Sequence, residues 1–310
     1  MSRIVVVGEL NPDLILSNYS SFPQLGREVL VEDCTLTMGS ASAICAMALA
    51  KLGNEVAFIS KVGRDAYGDF CLAILSRAGI DVTRVERDPE VKTGITVSVS
   101  SSRDRALITY LGAIGAYDGA NVTADSLAGR QHLHMSSYFL QERLRPRVAE
   151  LLRTASELGL TTSLDPGFDP TEQWGAGLHE ALAQADLFFP NEVELRGLGG
   201  SEIPEVSIGR LANGRTLVVA KLGALGCLAL SGGRIVRQAA FPVRPVDTTG
   251  AGDTFNAGFL HLWLRRQPVE QCLRFGAACG ALSTLAAGGT GNQPTETEAL
   301  EFINSRQSAQ

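Results

Sequence analysis

Apolar and polar positions change their period along the chain, and each change predicts an element. Ile4-Val5-Val6-Val7 is a short β-branched run closed by Gly8, and it reads as a buried strand. From Leu14 the pattern loosens and then alternates, with Val29, Val31, Asp33, Thr35 and Thr37 on one side. Alternation returns over 93–101 and again over 106–111, so these patches predict strands of a small exposed sheet. Between them, 42–52 is Ala-rich and ends Lys51-Leu52-Gly53, a last-turn cation followed by a glycine stop, which predicts a helix. A strand over 55–61 and a helix over 67–78, closed by Gly79, are predicted next.

Past residue 116 strands and helices take turns. Helices are predicted over 145–158, 253–266 and 269–287, the last interrupted in pattern by Gly276 and Gly280. Strands are predicted over 160–164, from 187, and over 216–221, while 225–230 and 234–238 flank Ser231-Gly232-Gly233 as a hairpin. This rhythm predicts an α/β fold with a doubly wound, mostly parallel sheet. The 310 residues contain no internal repeat, low-complexity segment or linker. One domain over 1–310 is therefore expected, with a small β-sheet lid formed by insertions at about 14–37 and 91–112.

Composition narrows the function classes. Hydrophobic residues make up 45% and charged residues 19%, which excludes a disordered chain. The net charge is −6 with no basic stretch, so no nucleic-acid partner is expected. No apolar run approaches a membrane span and the start does not read as a signal peptide, so a cytoplasmic protein with no membrane partner is expected. Six cysteines at 34, 45, 71, 227, 272 and 279 form no CxxC and no Cys/His cluster. They read as small buried hydrophobes in a reducing compartment. His132, His134 and His179 show no ligand spacing and read as solvated or core residues.

The candidate chemistry lies in Asp247-Thr248-Thr249-Gly250-Ala251-Gly252-Asp253-Thr254-Phe255, followed by Asn256-Ala257-Gly258-Phe259. Small residues at 250–252 let the backbone approach a ligand, and they open onto a helix with Phe255, Phe259, Leu262 and Trp263 on one stripe. Free amides and the positive dipole end at such a start suit phosphate oxygens. A carboxylate in the first turn, Asp253, can then take the proton of an alcohol attacking that phosphate. The competing reading is a Gly-rich turn with an ordinary N-terminal carboxylate.

Over nearly its whole length the chain resembles the ribokinase-like family of pfkB carbohydrate kinases, and DTTGAGDTFNAGF is similar to that family's C-terminal signature. The resemblance implies a ribokinase-like fold with helices on both sheet faces. It also implies an ATP-dependent phosphotransferase acting on a hydroxyl of a sugar or sugar-like molecule. Asp253 matches the catalytic base, and Gly250, Ala251 and Gly252 match the anion hole. Gly8-Glu9-Leu10-Asn11-Pro12-Asp13 resembles the first strand and the sugar-binding aspartate, so Asn11 and Asp13 are candidate substrate contacts. Gly39 and Ser40 open a stretch similar to the first family signature, and Val62-Gly63-Arg64-Asp65-Ala66-Tyr67-Gly68 matches its continuation. Asn191 and Glu194 match NxxE, implying Mg²⁺ held through water, which suits a carboxylate beside a strand end. Lys221, Gly223 and Gly226 resemble the turn contacting nucleotide phosphate and ribose, and Gly280 falls near the adenine pocket. Asp247, Thr249 and Gly291 match positions holding K⁺ in some members. Ser137 follows a strand where members present substrate contacts, and the lid would cover the sugar and pair two subunits as a homodimer.

The chain also departs from the family. Gly39-Ser40 replaces Gly-Gly, and Ile44 stands where an Asn bonds substrate hydroxyls. The pocket is therefore expected to be poor in hydrogen bonds there, unless Ile44 only packs its helix and Ser40 or Ser42 supplies the contact. Asp165-Pro166-Gly167-Phe168-Asp169 keeps the Asp of DxNxR and loses its Asn and Arg, and Ala277 or Gly280 replaces an Asn or His near adenine. A nucleoside kinase is the alternative function, followed by an inactive nucleotide- or sugar-binding regulator, against which the retained Asp253 argues.

Overall fold

The computed structural model describes residues 1–19, 21, 23–100, 105–175 and 177–307. Thirteen strands among them form two sheets. The larger contains β1 (Arg3–Val7), β4 (Glu55–Gly63), β5 (Asp81–Asp88), β8 (His132–Met135), β9 (Thr161–Leu164), β10 (Leu187–Phe188), β11 (Leu217–Lys221), β12 (Cys227–Ser231) and β13 (Arg234–Gln238). Their order is β13-β12-β11-β10-β9-β8-β1-β4-β5. Every pairing from β11 to β5 is parallel, and only the β12 and β13 edge is antiparallel. The predicted doubly wound sheet is present.

The helices are α1 (Ala41–Lys51), α2 (Ala66–Arg77), α3 (Ala113–Ala116), α4 (Ala124–Leu127), α5 (Val148–Glu157), α6 (Leu178–Leu182), α7 (Glu192–Gly199), α8 (Pro204–Leu211), α9 (Ala251–Trp263), α10 (Val269–Ser283) and α11 (Glu296–Gln307). Strand alternation sends Ile4 and Val6 of β1 into a core with α1, α2, α9, α10 and α11. Val5 and Val7 enter the opposite core with α4 to α8. Burial on both faces is why β1 reads as a continuous apolar run, each side chain contributing roughly 1.5–3 kcal/mol.

The smaller sheet, ordered β3-β2-β6-β7, joins β2 (Pro12–Ser17), β3 (Asp33–Met38), β6 (Ile95–Ser100) and β7 (Arg105–Tyr110). Both predicted insertions supply it, although 20, 22 and 101–104 lie outside the described residues. In register, Asp13 pairs with Thr37 and Thr96, which places all three on one face. Leu14, Leu36, Val97 and Ile108 share the other.

Several expectations need correcting. Val29 and Val31 precede β3 and belong to no strand. α10 runs unbroken through Gly276 and Gly280, because both glycines face α9: a Cβ on Gly276 would press on Phe255 O, and one on Gly280 on Ala251 O, each at 3.0 Å. Cys34 is exposed, whereas the other five cysteines are buried, and all six are free thiols.

Candidate active site

Chain order reverses between β1 and β8. From β1 the sheet grows one way through β4 and β5, and from β8 the other way through β9, β10 and β11. Ligands of open α/β sheets bind at the carboxyl ends of strands beside such a switch point. The sequence candidates converge there, on the loops leaving β1, β8, β9, β10 and β11 and on the first turn of α9.

The sugar-side candidates lie on the loop after β1 (Asn11), in β2 (Asp13), between β3 and α1 (Gly39, Ser40) and after β8 (Ser137). Asn11 Nδ2 donates to Pro12 O at 3.1 Å and lies 3.4 Å from both Asp13 Oδ1 and Thr96 Oγ1. A Cβ on Gly39 would sit 2.0 Å from Asp13 Oδ1, so only glycine leaves that carboxylate its place. Ser40 has φ +70°, donates to Glu9 O, and caps α1 by accepting from Ala43 N–H at 3.2 Å. Ser137 also sits in the left-handed region, at φ +53°. Its hydroxyl donates to Glu9 Oε1 at 2.8 Å, and Ser42 donates to both Glu9 oxygens from its N–H and hydroxyl at 3.1 and 2.6 Å. Burial pushes the Glu9 carboxyl above its ordinary range, and these donors partly oppose the shift. Glu9 and Ser42 thus tie β1, α1 and β8 together across the switch point, a role the sequence reading did not assign. The signal available was a charged residue two positions past the apolar run 4–7.

At the opposite wall α9 begins at Gly250, whose φ of +71° and lack of space both require glycine. A Cβ there would meet Ile44 Cγ2 at 2.8 Å and Gly289 Cα at 2.9 Å. No side chain caps α9; Ala251 N–H bonds Thr248 O at 3.3 Å and Thr254 N–H bonds Gly250 O at 2.9 Å. Ile44 is buried against Gly250 and Gly289, and its Cδ1 would lie 2.5 Å from a Cβ on Gly289. Its contact with the first turn of α9 is a long-range one that neither reading of Ile44 named.

Asp253 stands in the first turn of α9 among other charges. Burial raises its carboxyl well above the usual range, Asp165, Glu9 and Glu194 add to the rise, and Lys221 opposes it. Lys221 Nζ lies 2.6 Å from Asp165 Oδ2, which also accepts from Asn256 Nδ2 at 2.7 Å. Burial would raise Asp165, but Lys221 and Asn256 hold it below the ordinary range. Glu194 and Asn191 close on one another as a capping box at the start of α7. Asn191 N–H donates to Glu194 Oε2 at 2.8 Å and its Nδ2 to Oε1 at 2.6 Å. Burial, then Asp165, push Glu194 up to about 8.

The remaining candidates lie around this centre. Gly223 and Gly226 flank the turn after β11, both with positive φ. A Cβ on Gly226 would meet Gln238 O at 2.1 Å. Gly280 is buried between α9 and α10, a packing position. Asp247 Oδ1 accepts from Thr249 N–H and hydroxyl at 2.8 and 2.7 Å, and Oδ2 from Gly288 N–H at 2.9 Å. Gly291 belongs to the same late loop, its N–H 3.5 Å from Gly288 O. Among the described residues no group of three or more His, Cys, Asp or Glu is gathered as a metal cage, and no helix is long and apolar enough to cross a membrane.

The small-residue turn 250–252, the first-turn carboxylate Asp253 and the half-buried Lys221 gather at the carboxyl ends of the strands, an arrangement that suits a phosphoryl-transfer enzyme of the α/β class. Residues 1–296 match the pfkB family of carbohydrate kinases. The chain is 30% identical to an ATP-dependent ribose-1-phosphate kinase of Halopiger xanaduensis over 99% of both chains. It is 29% identical to a ribokinase of Haemophilus influenzae over 97% of this chain and 98% of that one. A ribokinase of Arabidopsis thaliana, solved with ribose and ATP, superposes with a TM-score of 0.83 at 26% identity, covering 98% of this chain and 99% of that one. The chain belongs to the pfkB family and has its ribokinase fold; it is an ATP-dependent carbohydrate kinase.

Proposed function

We propose that this kinase phosphorylates a hydroxyl of ribose or a closely related pentose, with Asp253 as general base. The relatives named above, two of them ribokinases and one a ribose-1-phosphate kinase, support a pentose. The observation carrying the mechanism is the first turn of α9, where Asp253 stands directly after Gly250, Ala251 and Gly252. Asp13 and Asn11 anchor the sugar, with Gly39, Ser40 and Ser137 completing the pocket and Ile44 supporting its wall. As the alcohol oxygen attacks the γ-phosphorus, its proton passes to Asp253. The bond to the bridging oxygen breaks, and ADP leaves. The amides of 250–252 receive the charge on the phosphoryl oxygens.

Lys221, Gly223 and Gly226 form the nucleotide side, with Gly280 behind them packed on Ala251. A single buried carboxylate with an amide partner fits Mg²⁺, which prefers oxygen and keeps most of its waters. Asn191 and Glu194 would hold it through water, and the ion would supply charge neutralisation to the phosphates. Asp247, Thr249 and Gly291 are the oxygen donors proposed for K⁺. The chain acts as one domain over 1–310 whose lid closes on the sugar, and its outer apolar face pairs with a second copy.

The test is a coupled assay across ribose, ribose 1-phosphate, fructose and nucleosides, followed by Asp253→Asn. Ribose or its 1-phosphate should be preferred, and the variant should lose at least ~10²-fold in kcat with ATP binding little changed. Near-wild-type turnover by Asp253→Asn on the best substrate removes Asp253 as the base. Preference for a nucleoside moves the enzyme to that branch.

A further inference from the structure

Lys221 closes β11 and meets Asp165 from the end of β9. Asp165 is gripped from three sides: Oδ2 accepts from Lys221 Nζ and Asn256 Nδ2, and Oδ1 accepts from Gly167 N–H at 3.0 Å. Asn256 lies one turn beyond Asp253 on α9 and is wholly buried, yet its Oδ1 has no hydrogen-bond partner. An orphaned buried carbonyl destabilises the fold, and an apolar residue of the same shape would avoid the cost. What the amide contributes is therefore its Nδ2, aimed at Asp165. The grip also fixes the lysine, since a Cβ on Gly252 would lie 3.5 Å from Lys221 Nζ. The ammonium thus stands beside the 250–252 turn.

We infer that Asp165 and Asn256 are positioning residues that aim the Lys221 ammonium at the transferring phosphoryl group, making Lys221 a catalytic cation of that turn. The inference rests on the anion-binding role proposed for residues 250–252. Phosphoryl transfer spreads charge over three equatorial oxygens, and a cation already fixed there needs no reorganisation during the reaction. A lysine on a free four-carbon stem would sample many rotamers, and the ion pair removes that freedom. Asp165, Glu194 and Asp253 keep the ammonium above its ordinary range although burial alone would lower it, so it stays charged at neutral pH. The same contact explains the altered 165–169 segment. Asp165 takes its cation from β11, and Asp169, in place of Arg, caps its own loop by accepting from Thr171 and Trp174 N–H.

The experiment compares Lys221→Met, Asp165→Asn, their double variant and Asn256→Leu in steady-state kinetics, with Asp253→Asn as reference. Lys221→Met should lower kcat by about 10²–10³-fold, the usual loss for one preorganised charge-stabilising donor, with sugar KM changed less than about threefold. Asp165→Asn should lower kcat at least about tenfold alone and less than about threefold when Lys221 is already Met. It should also move the alkaline limb of the kcat profile to lower pH, because a principal stabiliser of the ammonium is gone. Asn256→Leu should lower kcat with sugar KM changed less than about threefold, a split that a purely structural role would not produce. Equal costs of Asp165→Asn with and without Lys221, an unmoved alkaline limb, or full turnover by Asn256→Leu overturns the inference. If Lys221→Met works at the wild-type rate while Asp253→Asn is inactive, this inference alone fails. If Asp253→Asn is also active, the underlying reading fails with it.

Discussion

Gly39 and Asp13 form a pair in which one residue's missing side chain makes room for the other's carboxylate. With 2.0 Å between a Cβ at 39 and Asp13 Oδ1, Gly39→Ala must push the carboxylate aside. A carboxylate–hydroxyl bond is worth roughly 1.5–3 kcal/mol, so kcat/KM for the sugar should fall about 10–150-fold in Asp13→Ala and in Gly39→Ala, with the KM for ATP held. Unchanged sugar kinetics in Asp13→Ala would show that the anchor lies elsewhere. Ser40 and Ser137 adopt left-handed backbone that costs about 1–3 kcal/mol each in non-glycine residues. Both face Glu9, which marks this corner as built for function. Asp253 was singled out because it sits in a local glycine string that opens a helix, and Asp13 because 8–13 resembles the family's first strand. The direction of Ile44 was not legible, because it is set by Gly250 and Gly289, more than two hundred residues away. Glu9 was missed for the same reason: its donors come from α1 and from the loop after β8.

Between sheet and α9, β8 and β9 carry a buried polar chain. His132 is hydrogen-bonded to Thr161 at 2.8 Å and to Ser163 at 2.7 Å, and Ser163 meets His134 at 2.7 Å, which meets Ser136 at 2.9 Å. Burial holds His134 down to about 4 and His132 well below its ordinary value. A histidine depressed by folding binds its proton only in the unfolded chain between those values, so its share of stability is intact above about 6.5 and is lost as pH falls toward 4. In urea melts at pH 6.5 and 5, His134→Gln should therefore lose about 2 kcal/mol less than wild type, some 1.4 kcal/mol per pH unit over that interval. Identical losses would mean that His134 is already protonated in the native state. His132 and His134 read correctly as core candidates, but their linkage through Ser163 depends on strand register that spacing within one strand does not reveal. β5 escaped the sequence reading because DVTRVERD lies at the sheet edge and is polar on both faces, so it lacks the alternation that betrays a half-buried strand.

The alternation of strand and helix made the doubly wound sheet legible. The β1–β8 adjacency that creates the cleft was not, since it joins segments about 128 residues apart. That cleft gathers Asp165, Glu194 and Asp253 around Lys221, and Glu194, its carboxyl pushed up to about 8, would have to lose a proton for a divalent ion to bind beside it. Mg²⁺ affinity of the nucleotide complex should rise up to about tenfold per pH unit from 6 toward 8. Glu194→Gln should flatten that rise; an equally steep rise in the variant would exclude Glu194 from the ion's surroundings. The lid face opposite Asp13 leaves Leu36, Ile108 and Tyr110 exposed. Sedimentation should find a dimer that Ile108→Asp dissociates, and a monomeric wild type would leave the lid unpaired. The wedge of Ile44 between Gly250 and Gly289 couples α1 to the first turn of α9 by direct contact. Transplanting α1 from a relative to change sugar preference would disturb turnover as well. Positions 44, 250 and 289 touch one another, so a designer would have to exchange them together.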